Sequence, residues 1–137
     1  MTTTLTPQDR TAITELLARH GHLVDAGDLD RLGELFTDDA VHDFTDLGLP
    51  APVHGTAALR QAALDLGEGN PVGHHITNIV LEPITADRVH ARSKGIGINA
   101  DGTCASVTYD DTIARTAHGW RITRRTARAH RKPLGAG

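Results

Sequence analysis

The sequence predicts an α+β fold, with helices gathered towards the N-terminus and strands towards the C-terminus. Three observations carry this reading. Apolar residues recur mostly with a helical period up to about residue 67. From residue 73 onward the period drops to two. The period-two segments are separated by short turn signals instead of helices. A long twisted sheet wrapped around helices encloses a space, and a functional site is expected there.

The first helix opens at "TPQDR", where Thr6 can cap, Pro7 suits the first helical position and Asp9 completes an approximate capping box. Ile13, Leu16, Leu17, His20, Leu23 and Val24 then form one buried face, and Gly27 stops the helix. Asp28 is the expected cap of a second, short helix carrying Leu29, Leu32, Leu35 and Phe36. "TDDAVHDF" reads as a turn entering a first strand near residues 40–44, followed by a loop with Pro50 and Pro52. Gly55 and Thr56 introduce a third helix lined by Leu59, Ala62, Ala63 and Leu66 and ended by Gly67. "HHITNIVLEPI", "RVHARSKGIGIN", "TCASVTYDDTIAR" and "WRITRRTARAH" are four strands of an antiparallel meander, with Asp101-Gly102 the clearest hairpin turn. One domain over 1–137 is expected, its core about 8–128 and its tail, 129–137, frayed.

Composition narrows the function classes. Apolar residues make up 39% and charged residues 23%, as in an ordinary globule. A net charge of −3 and 3% aromatics argue against nucleic acid as a partner, since stacking platforms and a basic surface are both missing. Cys104 is the only cysteine, which leaves no intrachain disulfide. Neither a signal peptide nor a membrane-spanning run is visible, so the expectation is a cytoplasmic protein with no membrane partner. His20 and His22 point about 200° apart on a helix, and His74 and His75 to opposite faces of a strand, so no metal is expected. Nucleotide-binding glycine motifs and a serine-hydrolase elbow are absent too, and no cofactor is implied.

Two residues stand out for chemistry. Alternation puts His74, Ile76, Asn78 and Val80 on one face of their strand and His75, Thr77, Ile79 and Leu81 on the other. Both faces are largely apolar, so periodicity leaves open which histidine faces a cavity. Asp25 lies at the end of the first helix, on the rim of its buried face, where an acid opposes the helix dipole and calls for a nearby cation. On the last strand, Trp120 and Ile122 mark the core side, which puts Arg125 on the opposite face unless a bulge resets the parity.

The segments "AITELLARHGHLVDAGDLDRLGELFTDDAV", "GHHITNIVLE" and "GWRITRRTA" together resemble the SnoaL-like branch of the nuclear transport factor 2-like superfamily. Within it, the pattern is similar to the group of scytalone dehydratase, bile-acid dehydratase and the lindane dehydrochlorinase. The resemblance covers about residues 8–128 and implies a cone-shaped α+β barrel, its helices packed in a highly curved, mostly antiparallel sheet. It implies that His74 is a base oriented by Asp25, that Arg125 borders the pocket, and that His20 stands where the dehydrochlorinase has a lysine. Leu17, Val24, Ile76, Asn78 and Tyr109 are the expected substrate-binding residues. The implied activity is a cofactor-independent dehydration or isomerisation of a hydrophobic cyclic or polyketide-like molecule. A SnoaL-type polyketide cyclase and a non-catalytic ligand-binding subunit are the alternatives, and a homodimer or higher homo-oligomer is the implied assembly.

Overall fold

A computed structural model describes residues 4–136 of the chain. Thr6 accepts the Asp9 N–H through its side chain at 3.0 Å, and Pro7 opens helix α1 (Pro7–Ala26). Gly27 closes it in the left-handed region, φ 76°, with its N–H on the Leu23 and Val24 carbonyls. The expected second helix forms as a 3₁₀ turn, Leu29–Glu34. Phe36 has left it and starts strand β1 (Phe36–Asp43), which therefore begins earlier than the turn residues "TDD" indicate. Two residues of the proline-bearing loop pair with β1 as a short strand, β2 (Val53–His54), which the sequence reading missed. Helix α2 (Thr56–Leu66) follows, then β3 (Gly73–Thr85), β4 (Arg88–Ile98), β5 (Cys104–Thr116) and β6 (Gly119–His130).

The strands form one open sheet in the order β2-β1-β6-β5-β4-β3. Among the described residues, only the β1–β6 pair is parallel. Helix α1 packs on β3 and β6, and α2 on β1 and β2. Ile13, Leu17, Leu35, Val89, Ile113 and Ile122 are wholly inaccessible and form the centre of the core. Strand β6 runs to His130, two residues into the segment expected to fray. The Asp46 carboxylate holds its end by accepting from the Ala129 N–H at 2.8 Å.

Two β-bulges overturn the simple alternation. In β3, pairing with β4 jumps from Thr77↔Lys94 to Val80↔Arg92, and Asn78 sits at the jump with φ 53°. Asparagine tolerates that left-handed conformation better than its β-branched neighbours. His74 and Ile76 face inward before the bulge, Ile79 and Leu81 after it, and Asn78 itself is exposed. In β6, Ile122 pairs with Ile113 but Arg124 pairs with Thr112, so Thr123 is the extra residue. Parity resets there, and Arg125 turns to the core side with Trp120 and Ile122.

The reset builds a cross-strand row on the inner face. His42 of β1, Arg125 of β6 and Asp111 of β5 are register neighbours, and all three are inaccessible to solvent. Arg125 Nε and Nη2 donate to the two Asp111 oxygens at 2.8 and 2.9 Å. Neither ring nitrogen of His42 has a protein partner. Burial, reinforced by the nearby Arg125 charge, lowers the His42 pKa to about 4.

Helix α1 crosses β3 at Gly21. A Cβ there would collide with the His74 carbonyl oxygen, so only glycine permits this approach. The Gly21→Ala variant is expected to lose about 1–3 kcal/mol of stability by overpacking, read as a lower urea midpoint. Asp111→Ala strands a buried guanidinium and is expected to cost about 3–5 kcal/mol, whereas the Asp111→Leu/Arg125→Met double variant recovers most of that loss in the same titration. His42 makes stability pH-dependent. Its folded pKa lies below its unfolded one, so its contribution is complete above about pH 6.5 and is lost as pH falls towards 4, about 3 kcal/mol in all. His42→Leu is expected to match the native protein at pH 7 and to unfold less readily at pH 4.5.

Candidate active site

Between the helices and the inner face of the sheet lies a cavity of about 400 Å³. Val24 of α1, Leu29 and Leu32 of the 3₁₀ turn, and Leu59 and Leu66 of α2 contribute to its walls. Phe44, Leu47 and Leu49 reach into it from the loop after β1. The polar residues among these hydrocarbons are few: His20, His74, Tyr109 and Asn70. Asn70 is already engaged, since its amide donates to the Ala63 and Gly67 carbonyls and ties down the end of α2.

Asp25 and His74 meet at the cavity edge. Asp25 Oδ1 lies 2.7 Å from His74 Nδ1, and Asp25 Oδ2 accepts the His74 backbone N–H at 3.1 Å. The carboxylate thus grips both the ring and the main chain of one residue. Gly21, one turn earlier in α1, makes that reach possible. The His74 and Asp25 side chains retain 17% and 29% of their accessibility, so they sit at the mouth and not in the sealed core. A carboxylate can only accept, so in the neutral ring Nδ1 is the nitrogen that carries the proton and Nε2 the one with the lone pair. His75 is exposed, as alternation places it.

The His20 ring stands edge-on to His74, with centroids 5.8 Å apart, and 6.3 Å from the Tyr109 ring. Its Nδ1 is buried without a partner. Burial above all, then the charges of Arg125, His74 and His42, hold its pKa well below the usual imidazole range. His20 is therefore a neutral hydrogen-bonding group at pH 7. Tyr109 projects inward from β5, and burial raises its pKa against an opposing pull from Arg125.

Four expected site residues lie elsewhere. Leu17 is wholly buried in the hydrophobic core, and Ile76 packs between that core and the Tyr109 cluster. Asn78 is exposed because it forms the β3 bulge. Arg125 does not border the cavity. It is sealed behind Tyr109, whose ring centroid lies 4.4 Å from its guanidinium carbon. The sequence reading also passed over Asp111, His42 and Gly21. A glycine in mid-helix costs roughly 1 kcal/mol relative to alanine, and that was the available signal for Gly21. Among the described residues, no three His, Cys, Asp or Glu side chains converge as a metal site, and no helix is long and apolar enough to cross a membrane.

No curated protein matches the chain. Among solved structures it is similar to a candidate aromatic ring hydroxylase from Novosphingobium aromaticivorans, with 29% identity, TM-score 0.78 and 94% of each chain covered. A candidate scytalone dehydratase from the same organism shares 19% identity at TM-score 0.74, over 94% of this chain and 95% of that one. LinA shares 22% identity at TM-score 0.71, over 97% of each chain. At those identities the last two likenesses carry the fold alone. The family model of the SnoaL-like domain matches residues 6–126, and the chain belongs to that family.

Proposed function

We propose that the chain is an acid–base enzyme of the lyase or isomerase type that needs no cofactor. His74 Nε2 takes a proton from a carbon beside a carbonyl of a hydrophobic cyclic or polyketide-like substrate, and Asp25 orients the ring. The observation that carries this reading is the double grip of Asp25 on His74, through Nδ1 at 2.7 Å and the backbone N–H at 3.1 Å. It fixes the tautomer, presents the unprotonated nitrogen, and stabilises the imidazolium that forms.

In a dehydration, the C–H electron pair moves into the carbonyl as an enolate and returns to form the C=C bond as the neighbouring C–O bond breaks. The His74 imidazolium gives its proton to the departing hydroxide, which leaves as water, and the enzyme is restored. In an isomerisation the same proton returns to a different carbon. His20 supports either course as a neutral group beside the base, adding no second positive charge to disfavour the imidazolium. The aliphatic walls exclude water and strengthen each polar contact within.

The test is steady-state turnover of hydroxylated cyclic ketones followed by mass spectrometry. A product lighter by one water marks dehydration, and an unchanged mass marks isomerisation or ring closure. His74→Ala and Asp25→Asn are expected to lower kcat by roughly 10²–10⁴-fold, with ligand affinity and the unfolding midpoint retained. A carrier of the same fold would bind the ketone and show no turnover to lose, which would refute the proposal.

A further inference from the structure

Helix α2 buries none of its residues, although it carries an apolar stripe. Leu59, Ala62, Ala63 and Leu66 stand at i, i+3, i+4 and i+7, and all four line the cavity. An amphipathic helix ordinarily seals such a stripe against packed side chains. Here Leu59, at the inner end, packs against the hydrophobic core, and the stripe runs outward to Leu66, which is 56% exposed. Strand β5 carries the matching stripe. Tyr109, Val107 and Ala105 alternate onto its inner face and also line the cavity, passing from buried at Tyr109 and Val107 to exposed at Ala105. The two stripes are about 10 and 14 Å long.

Among the described residues that line the cavity, three are exposed: Leu47, Leu66 and Ala105, from the loop after β1, from α2 and from β5. They mark where the cavity opens, and all three are hydrocarbon. Strand pairing puts Ala105 on the row of His74, two strands away with Gly97 between them, so this rim lies roughly 10 Å from the base. Asn70, the polar residue beside the end of α2, already donates its amide to the Ala63 and Gly67 carbonyls. A group crossing the rim is therefore met by hydrocarbon from three elements.

We propose that the rim is a binding subsite for a hydrocarbon chain. The substrate is a cyclic ketone whose ring occupies the cavity beside His74 and whose unbranched alkyl substituent leaves between the α2 and β5 stripes, past Leu47. The subsite deepens the acid–base reading by naming the shape of the substrate, and it rests on that reading for turnover alone. Binding of the chain needs no base. The chain supplies the apolar cover that an amphipathic stripe requires, so occupancy of the rim and the order of α2 are coupled.

The probes are 4-methyl-, 4-butyl- and 4-hexylcyclohexanone, titrated by calorimetry. Affinity is expected to rise about fourfold per added methylene, up to and including hexyl. The Leu47→Ser/Leu66→Ser variant changes exposed side chains and is expected to keep the native urea midpoint. It flattens the rise between butyl and hexyl and keeps that between methyl and butyl. Ala105→Phe sets a ring at the opening and is expected to weaken hexyl binding about tenfold or more, with a far smaller effect on methyl. Bound 4-hexylcyclohexanone slows amide exchange in residues 56–66 more than the methyl ketone does. Failure of all three ketones to bind, constant affinity beyond methyl, an equal rise in the serine variant, or exchange of α2 that ignores chain length would each overturn the proposal. Loss of self-association in the serine variant, read by sedimentation, with no change in chain binding would assign the rim to a second copy of the chain and overturn it too. With the matching 3-hydroxy ketones, loss of turnover in His74→Ala with the chain-length rise intact supports both readings. Full turnover in that variant with the rise intact removes the base and leaves the subsite standing.

Discussion

The close contact between α1 and β3 is the constraint on which the site depends. A helix backbone ordinarily stands off a sheet by the length of its side chains. Here Gly21 removes one side chain at the crossing, and the helix settles against the His74 carbonyl. One turn further on, the short Asp25 side chain is then within reach of both the backbone and the ring of His74. A longer acid would span a larger gap, but with more rotamers to immobilise. The close crossing thus fixes the imidazole with two short bonds and little conformational freedom left over.

Much of this arrangement was legible in the residues. Thr6, Pro7, Asp9 and Gly27 delimit α1, and the four meander strands fall within a residue or two of the segments that alternation marks. Placing Asp25 and His74 near one another needed the family resemblance, since they are 49 residues apart and nothing local links them. The misplacement of Asn78 and Arg125 has one physical origin. Alternation assumes an unbroken ladder, and a single extra residue inverts every side chain beyond it. Asn78 and Thr123 are those residues. The first removes Asn78 from the cavity, and the second turns Arg125 inward to Asp111. No composition rule marks Thr123, whereas the polar Asn78 in a run of β-branched residues is a readable, if weak, sign of a left-handed position.

Burying Arg125 and Asp111 together is costly unless both are well paired; two parallel hydrogen bonds satisfy Nε and Nη2, while Nη1 is buried without a partner. The placement of the pair matters more than its net stability. Arg125 lies in register between His42 and Asp111, so the sheet carries a fixed positive group directly beneath the polar end of the cavity. Burial keeps His20 and His42 uncharged, and that group reinforces it. Of the histidines near this end, His74 alone has a carboxylate partner.

The scarcity of aromatic residues shows how the chain separates ions from ligand. It has two phenylalanines, one tyrosine and one tryptophan, and both phenylalanines and the tyrosine line the cavity. Phe36 touches His20 on one side and His42 on the other, with ring centroids at 6.4 and 4.6 Å, and Arg125 lies 5.6 Å from it. Together with Tyr109 it forms a thin wall between the hydrocarbon space and the charged row. A ligand in the cavity is shielded from direct contact with the guanidinium, yet only one ring thickness separates them. Coulomb interactions fall only as the inverse of distance, and faster decay requires intervening water. Aromatic rings exclude that water and present a polarisable face to the cation. The wall therefore transmits the field while denying the hydrogen bond.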